Sequence, residues 1–115
     1  MTTFTKMILS GSSNGRPILL AATATPGTLL HTAHATNADE IWLYASNTST
    51  TLAKLTVEFG GTLNPNDTIE VGIPAESGLV LVMPGVPVTG SVVVRAFADA
   101  ASVVNIVGFV NRIAQ

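Results

Sequence analysis

The chain's only histidines, His31 and His34, fall in "HTAHAT", with Asp39 and Glu40 as the nearest carboxylates and no cysteine anywhere. Imidazoles and carboxylates are zinc ligands, and with a serine they are the parts of a nucleophilic triad. On a strand residues three apart project from opposite faces, so these two rings cannot hold one ion together there; only in a turn could they converge. Neither histidine stands in a recognisable triad setting, and no G-x-S-x-G elbow offers a nucleophile. Among the seven acids, Glu58 and Glu70 occupy strand positions that read as solvent-facing. A glycosidase needs two carboxyls flanking a bond in a cleft, and only Trp42, Tyr44 and four phenylalanines are available for a sugar platform. "GSSNGR" (11–16) lacks the Lys-Ser/Thr ending and following helix of a phosphate loop. Asn47-Thr48-Ser49 and Asn66-Asp67-Thr68 match a glycosylation triplet short enough to arise by chance. The expectation is a protein that is not an enzyme, with no catalytic residues, metal site or cofactor.

Composition points elsewhere. Hydrophobic residues make up 47% of the 115 and charged residues only 10%, against about 25% charged in an average soluble domain. Mean hydropathy is +0.50, so ordinary solvated surface is scarce and other protein is expected to cover part of it. A net charge of −2, with Lys6, Arg16, Lys54, Arg95 and Arg112 scattered along the chain, leaves no basic patch for nucleic acid. Gly, Pro, Asn or a charge cuts every apolar run short of the ~18–20 residues of a membrane helix. "MTTFTKMILSGSSNG" makes a poor secretory signal, so synthesis in the cytoplasm and no membrane partner are expected.

The elements that position these residues read as strands. Turn signals recur every ~8–12 residues, and no stretch sustains an apolar i, i+3, i+4 pattern. Strands are predicted over 16–23, 28–36, 39–47, 52–60, 68–73, 79–84, 91–98 and 102–113, with turns at Asn14-Gly15, Pro26-Gly27, Gly60-Gly61 and the Pro/Gly-rich segment after Met83. About eight strands with short links imply an all-β fold: an antiparallel two-layer β-sandwich, jelly-roll or immunoglobulin-like. Residues 1–15 read as an N-terminal arm and 16–115 as the sandwich domain.

In a two-layer sandwich each sheet buries one face and leaves the other to solvent. "LAKLTVEFG" (52–60) obeys this alternation, but the strands of "SGLVLVMPGVPVTGSVVVRAF" (77–97) and "SVVNIVGFVNRI" (102–113) are apolar on both sides. If these late strands lie together, their outer face is an apolar patch, and each large side chain on it gains roughly 1.5–3 kcal/mol on burial. The expected interface combines the arm residues Phe4, Met7, Ile8 and Leu9 with the outward Val80, Val82, Val93, Phe97, Val107 and Phe109. A symmetric homo-oligomer would cover such a patch with copies of itself.

In "NGRPI" (14–18), "DEIWLYASN" (39–47), "LTVEFGGT" (55–62), "IEVGIPAESGLVLVMPG" (69–85) and "VRAFADAASVVNIVGFVNRI" (94–113), the chain resembles the small β-sandwich virion proteins of tailed bacteriophages. These are capsid decoration or cement proteins and related head-attached components. The resemblance is one of texture and strand order across nearly the whole body. It implies a structural protein on the outer capsid surface, commonly a homotrimer, that binds major capsid protein subunits and stabilises the head. Two alternatives are another phage tail or neck structural protein and a carbohydrate- or receptor-binding module using Trp42 and Tyr44.

Overall fold

Period-two alternation is plainest in Ala38–Asn47, where Ile41, Leu43 and Ala45 are buried and Trp42, Tyr44 and Ser46 between them are partly exposed. The computed structural model describes residues 2–114, and among them lie nine strands. They are β1 (Thr3–Ile8), β2 (Ile18–Leu19), β3 (Thr28–Thr32), β4 (Ala38–Asn47), β5 (Ala53–Phe59), β6 (Thr68–Ile73), β7 (Val80–Val88), β8 (Val93–Ala98) and β9 (Val104–Ala114). A larger, five-stranded sheet runs β1-β9-β4-β7, with β2 also on β9; a smaller, four-stranded sheet runs β3-β8-β5-β6. All pairings are antiparallel.

The pairing is nested: β2 with β9, β3 with β8, β4 with β7, and β5 with β6. It is the pattern of one long hairpin, its tip between β5 and β6, rolled up so that β4 meets β9 and β5 meets β8. This is jelly-roll order, and it decides between the two connections that alternation alone leaves open. The core lies between the sheets and is built from alternate residues of both, including Ile41, Leu43, Leu55, Val57, Val94 and Ile106.

Several strand boundaries differ from the sequence expectation. Residues 16–23 contribute only the two-residue β2; the buried Leu20 that follows still donates its N–H to the Val104 carbonyl and accepts the Ser102 amide, both at 2.9 Å, before the Ala22 carbonyl accepts the amide of Ala98 in the smaller sheet. Pro84-Gly85 does not turn the chain. β7 is an edge strand, where a missing N–H is tolerated, and it runs through both prolines to Val88. A register shift between Ile41 and Trp42 leaves Gly85 unpaired at φ +79°, and a Cβ there would run into the Trp42 ring. The reversal comes at residues 89–92 instead.

The interface expectation also divides. Residues 3–8 form strand β1, paired with Phe109–Ala114 of β9; Met1 and Gln115 lie outside the described residues. Leu9 is a core residue, 1% exposed, so it anchors β1 to its own sandwich. The late strands do not lie together: β7 and β9 belong to the larger sheet and β8 to the smaller. Val107 and Phe109 therefore face outward on one side of the molecule, and Val93 and Phe97 on the other. Val80 and Val82 pack partly against the core, because a second register shift, between Leu43 and Tyr44, re-aims that end of β7.

Candidate functional sites

Two buried acids and one apolar face stand out. Asp39, at the start of β4, is fully buried and receives donors from three segments. Arg112 of β9 grips it with a fork, Nε to Oδ1 at 2.7 Å and Nη2 to Oδ2 at 3.0 Å. His31 of β3 donates Nε2–H to Oδ2 at 2.7 Å, and the His34 amide donates to the same oxygen at 3.2 Å. The His31 tautomer follows from its other nitrogen, because Nδ1 accepts the Ser10 amide at 3.0 Å. A register shift between Leu29 and His31 explains how the adjacent Leu30 and His31 can both be buried.

Burial pushes the Asp39 carboxyl up, but the hydrogen bonds from Arg112 and His31, the Arg112 charge and the His34 amide outweigh it and hold the pKa at about 2. Asp39 in turn raises Arg112 through the same hydrogen bonds. Ser10, His31 and Asp39 share the composition of a nucleophilic triad but not its geometry. The ring nitrogen that would activate a hydroxyl is occupied by a backbone amide, and the Ser10 hydroxyl accepts the Thr32 amide at 2.7 Å. The cluster ties β3 of one sheet to β4 and β9 of the other. His34 has separate work: its Nδ1 accepts the amides of Thr36 and Asn37 at 3.1 and 2.9 Å, shaping the link into β4.

Glu58 on β5 points away from the core, as alternation requires, yet it is 1% exposed rather than solvated. Gly27 donates its amide to Oε1 at 2.7 Å. Gly27 lies so close to the Ala96 backbone that a Cβ would sit 2.5 Å from it, so only glycine lets the chain pass there. Oε2 has no partner among the described residues. The cross-strand neighbour Arg95 sends Nη1 to the Gly27 carbonyl at 3.4 Å and forms no ion pair with Glu58. Glu70, by contrast, is exposed and lies 3.6 Å from Lys54.

The outer face of the larger sheet carries the apolar surface. Register places Ile8, Phe109 and Trp42 in one row, Lys6, Asn111 and Glu40 in the next, and Phe4 and Ile113 beyond; Val107, Tyr44 and Leu81 form a row on the other side. Trp42 and Phe109 stack with centroids 6.0 Å apart and planes 10° from parallel, and the Lys6 ammonium lies 4.7 Å from the Phe109 centroid. Glu40 accepts the Trp42 indole N–H at 2.8 Å and the Asn111 amide at 3.1 Å, and these bonds lower its pKa. Phe4 is 69% exposed and Ile8 52%. Sequence reasoning found Phe4, Ile8, Val107 and Phe109 for this face but not the Trp42 row. It also missed the Asp39–Arg112 pair, whose members lie 73 residues apart. No protein-family model matches the chain, and no curated protein shows significant similarity to it.

Proposed function

We propose that this protein is a non-enzymatic virion structural protein, a capsid decoration or cement protein of the tailed-phage kind. It assembles with copies of itself, as a trimer, and bridges major capsid subunits on the outer head surface. The supporting observation is the outer face of the larger sheet, where the row of Ile8, Phe109 and Trp42 adjoins that of Val107, Tyr44 and Leu81, and Phe4 lies beyond the polar row of Lys6, Asn111 and Glu40. Monomeric proteins rarely leave such a patch to water, and each of its large side chains gains roughly 1.5–3 kcal/mol when another protein covers it. A protein that binds only the assembled lattice stabilises it by RT ln(1 + [L]/Kd) per site, and several contacts per oligomer add avidity.

The same face weighs against a sugar-binding role for Trp42. Phe109 stacks on one face of its ring and its N–H is committed to Glu40, which leaves less of the indole for a pyranose.

Light scattering on the purified protein and heat-challenge of phage heads lacking it test the reading together. The wild type should be oligomeric and restore head stability. The Phe4→Asp, Ile8→Asp double variant, altered only at exposed positions, should be monomeric, folded and unable to restore it. A monodisperse wild-type monomer that leaves heads unprotected would overturn the proposal.

A further inference from the structure

Besides the two-residue β2, four strands bound the sheets: β1 and β7 the larger, β3 and β6 the smaller. An edge strand carries a row of unpaired N–H and C=O groups, and folds blunt such rows with proline, bulges, charge or brevity. β7 has Pro84, Pro87 and the register shift beside Gly85. β3 is five residues long, has a register shift between Leu29 and His31, and buries Leu30 and His31. β6 carries Glu70 and is weakened by Gly72. β1 differs from all three. Its six residues include no proline or glycine, its register is unbroken, and every one of them is exposed. Its one charge does not guard it, because the Lys6 ammonium lies 4.7 Å from the centroid of Phe109 on β9 and so reaches back over its own sheet.

An open edge is completed by another extended strand, and β1 is complementary to itself. Two copies related by a two-fold axis perpendicular to the sheet pair antiparallel and keep their outer faces on the same side. Alternate residues point to opposite faces, so such a pair can be centred only on a residue, which then faces its own counterpart. Centring on Lys6 would oppose two like charges, which is destabilising. Centring on Phe4 leaves Ile8 beyond the overlap. Centring on Thr5 sets Thr5 against the partner's Thr5, Phe4 against the partner's Lys6 and Thr3 against the partner's Met7. Threonine pairs and a cation beside an aromatic ring are both favourable across strands. Phe4 and Ile8, 69% and 52% exposed, stand at this edge, so the pairing also joins two apolar outer faces into one.

We infer that β1 is a homotypic docking edge, at which two copies of this chain pair β1 with β1, antiparallel and centred on Thr5, and merge two larger sheets into one. A single strand pair covers less than the ~1,200 Å² of a stable interface, so a Kd of about 0.1 mM is expected. The pairing joins copies two by two and does not depend on the decoration role.

The test is cysteine crosslinking of the full chain, which has no cysteine of its own, at about the expected Kd in oxidised glutathione. In the Thr5→Cys variant the two Cα atoms would lie roughly 4.5–5.5 Å apart, within disulfide reach. In Lys6→Cys they would lie roughly 8 Å apart, beyond it. Leu63→Cys, at an exposed position between β5 and β6, reports random collision. Thr5→Cys should give covalent dimer roughly tenfold faster than either control. Sedimentation equilibrium supplies a second readout: Thr5→Lys, which opposes two ammonium groups at an exposed position, should weaken pairing roughly tenfold. Thr5→Cys that crosslinks no faster than the controls, or pairing untouched by Thr5→Lys, would overturn the inference. A trimer with that outcome would leave the threefold assembly standing, whereas rapid Thr5→Cys crosslinking in a protein that never exceeds a dimer would remove the trimer and keep the edge pairing.

Discussion

Asp39 and Glu58 are both sealed from water, one in each sheet, yet the chain treats them in opposite ways. Asp39 collects two donors from Arg112, one from His31 and one from the His34 amide. Glu58 collects one, from Gly27, although an arginine stands directly across from it on β8. The first arrangement is complete within the chain and leaves nothing for a ligand, so its work is structural: it fastens the two sheets at one end. The second is incomplete: Oε2 has no partner among the described residues. Burial of an acid is therefore a poor guide to function until its donors are counted.

The contrast can be broken most forcefully at Asp39. Asp39→Asn leaves Arg112 and His31 facing a neutral amide, and urea unfolding should show a loss of about 3 kcal/mol or more. A cost below about 1 kcal/mol would mean the cluster holds little together. Acid should reproduce part of this loss in the unmodified protein. The folded pKa of Asp39, about 2, lies below the roughly 3.9 of an unfolded aspartate, so the stabilisation is complete above the unfolded value and disappears as pH falls through the folded one. Unfolding curves between pH 5 and 2 should therefore show about 2–3 kcal/mol of acid-labile stability that the Asp39→Asn variant lacks. The smallest effect belongs to Glu58→Gln, which keeps a carbonyl for Gly27 and exchanges one unpartnered polar group for another. Its stability should lie within about 1 kcal/mol of the parent, and a loss as large as that of Asp39→Asn would erase the distinction.

Strand positions in the body of the fold were legible because burial on one face writes itself as period two. Alternation in 39–47, 52–60 and 68–73 located β4, β5 and β6 to within a residue or so. It failed where the rule is suspended. β7 passes through Pro84 and Pro87 because it lies at an edge, and edge status is a property of the sheet. Leu9 looked like a spare anchor because nothing local distinguishes it from Ile8; only the fold buries one and exposes the other. Glu58 looked solvated because alternation reports which way a side chain points and says nothing of what lies over it.

The amino-acid order by itself determined an all-β sandwich, its main strands and an excess of apolar surface, since all three depend on neighbours close in the chain. Tertiary structure alone decided the jelly-roll winding, the separation of β8 from β7 and β9, and the partners of the two buried acids. Those outcomes depend on residues tens of positions apart meeting in one register, such as Asp39 with Arg112 and Gly27 with Glu58. Such meetings are settled by how the whole hairpin rolls up, and no local spacing encodes them.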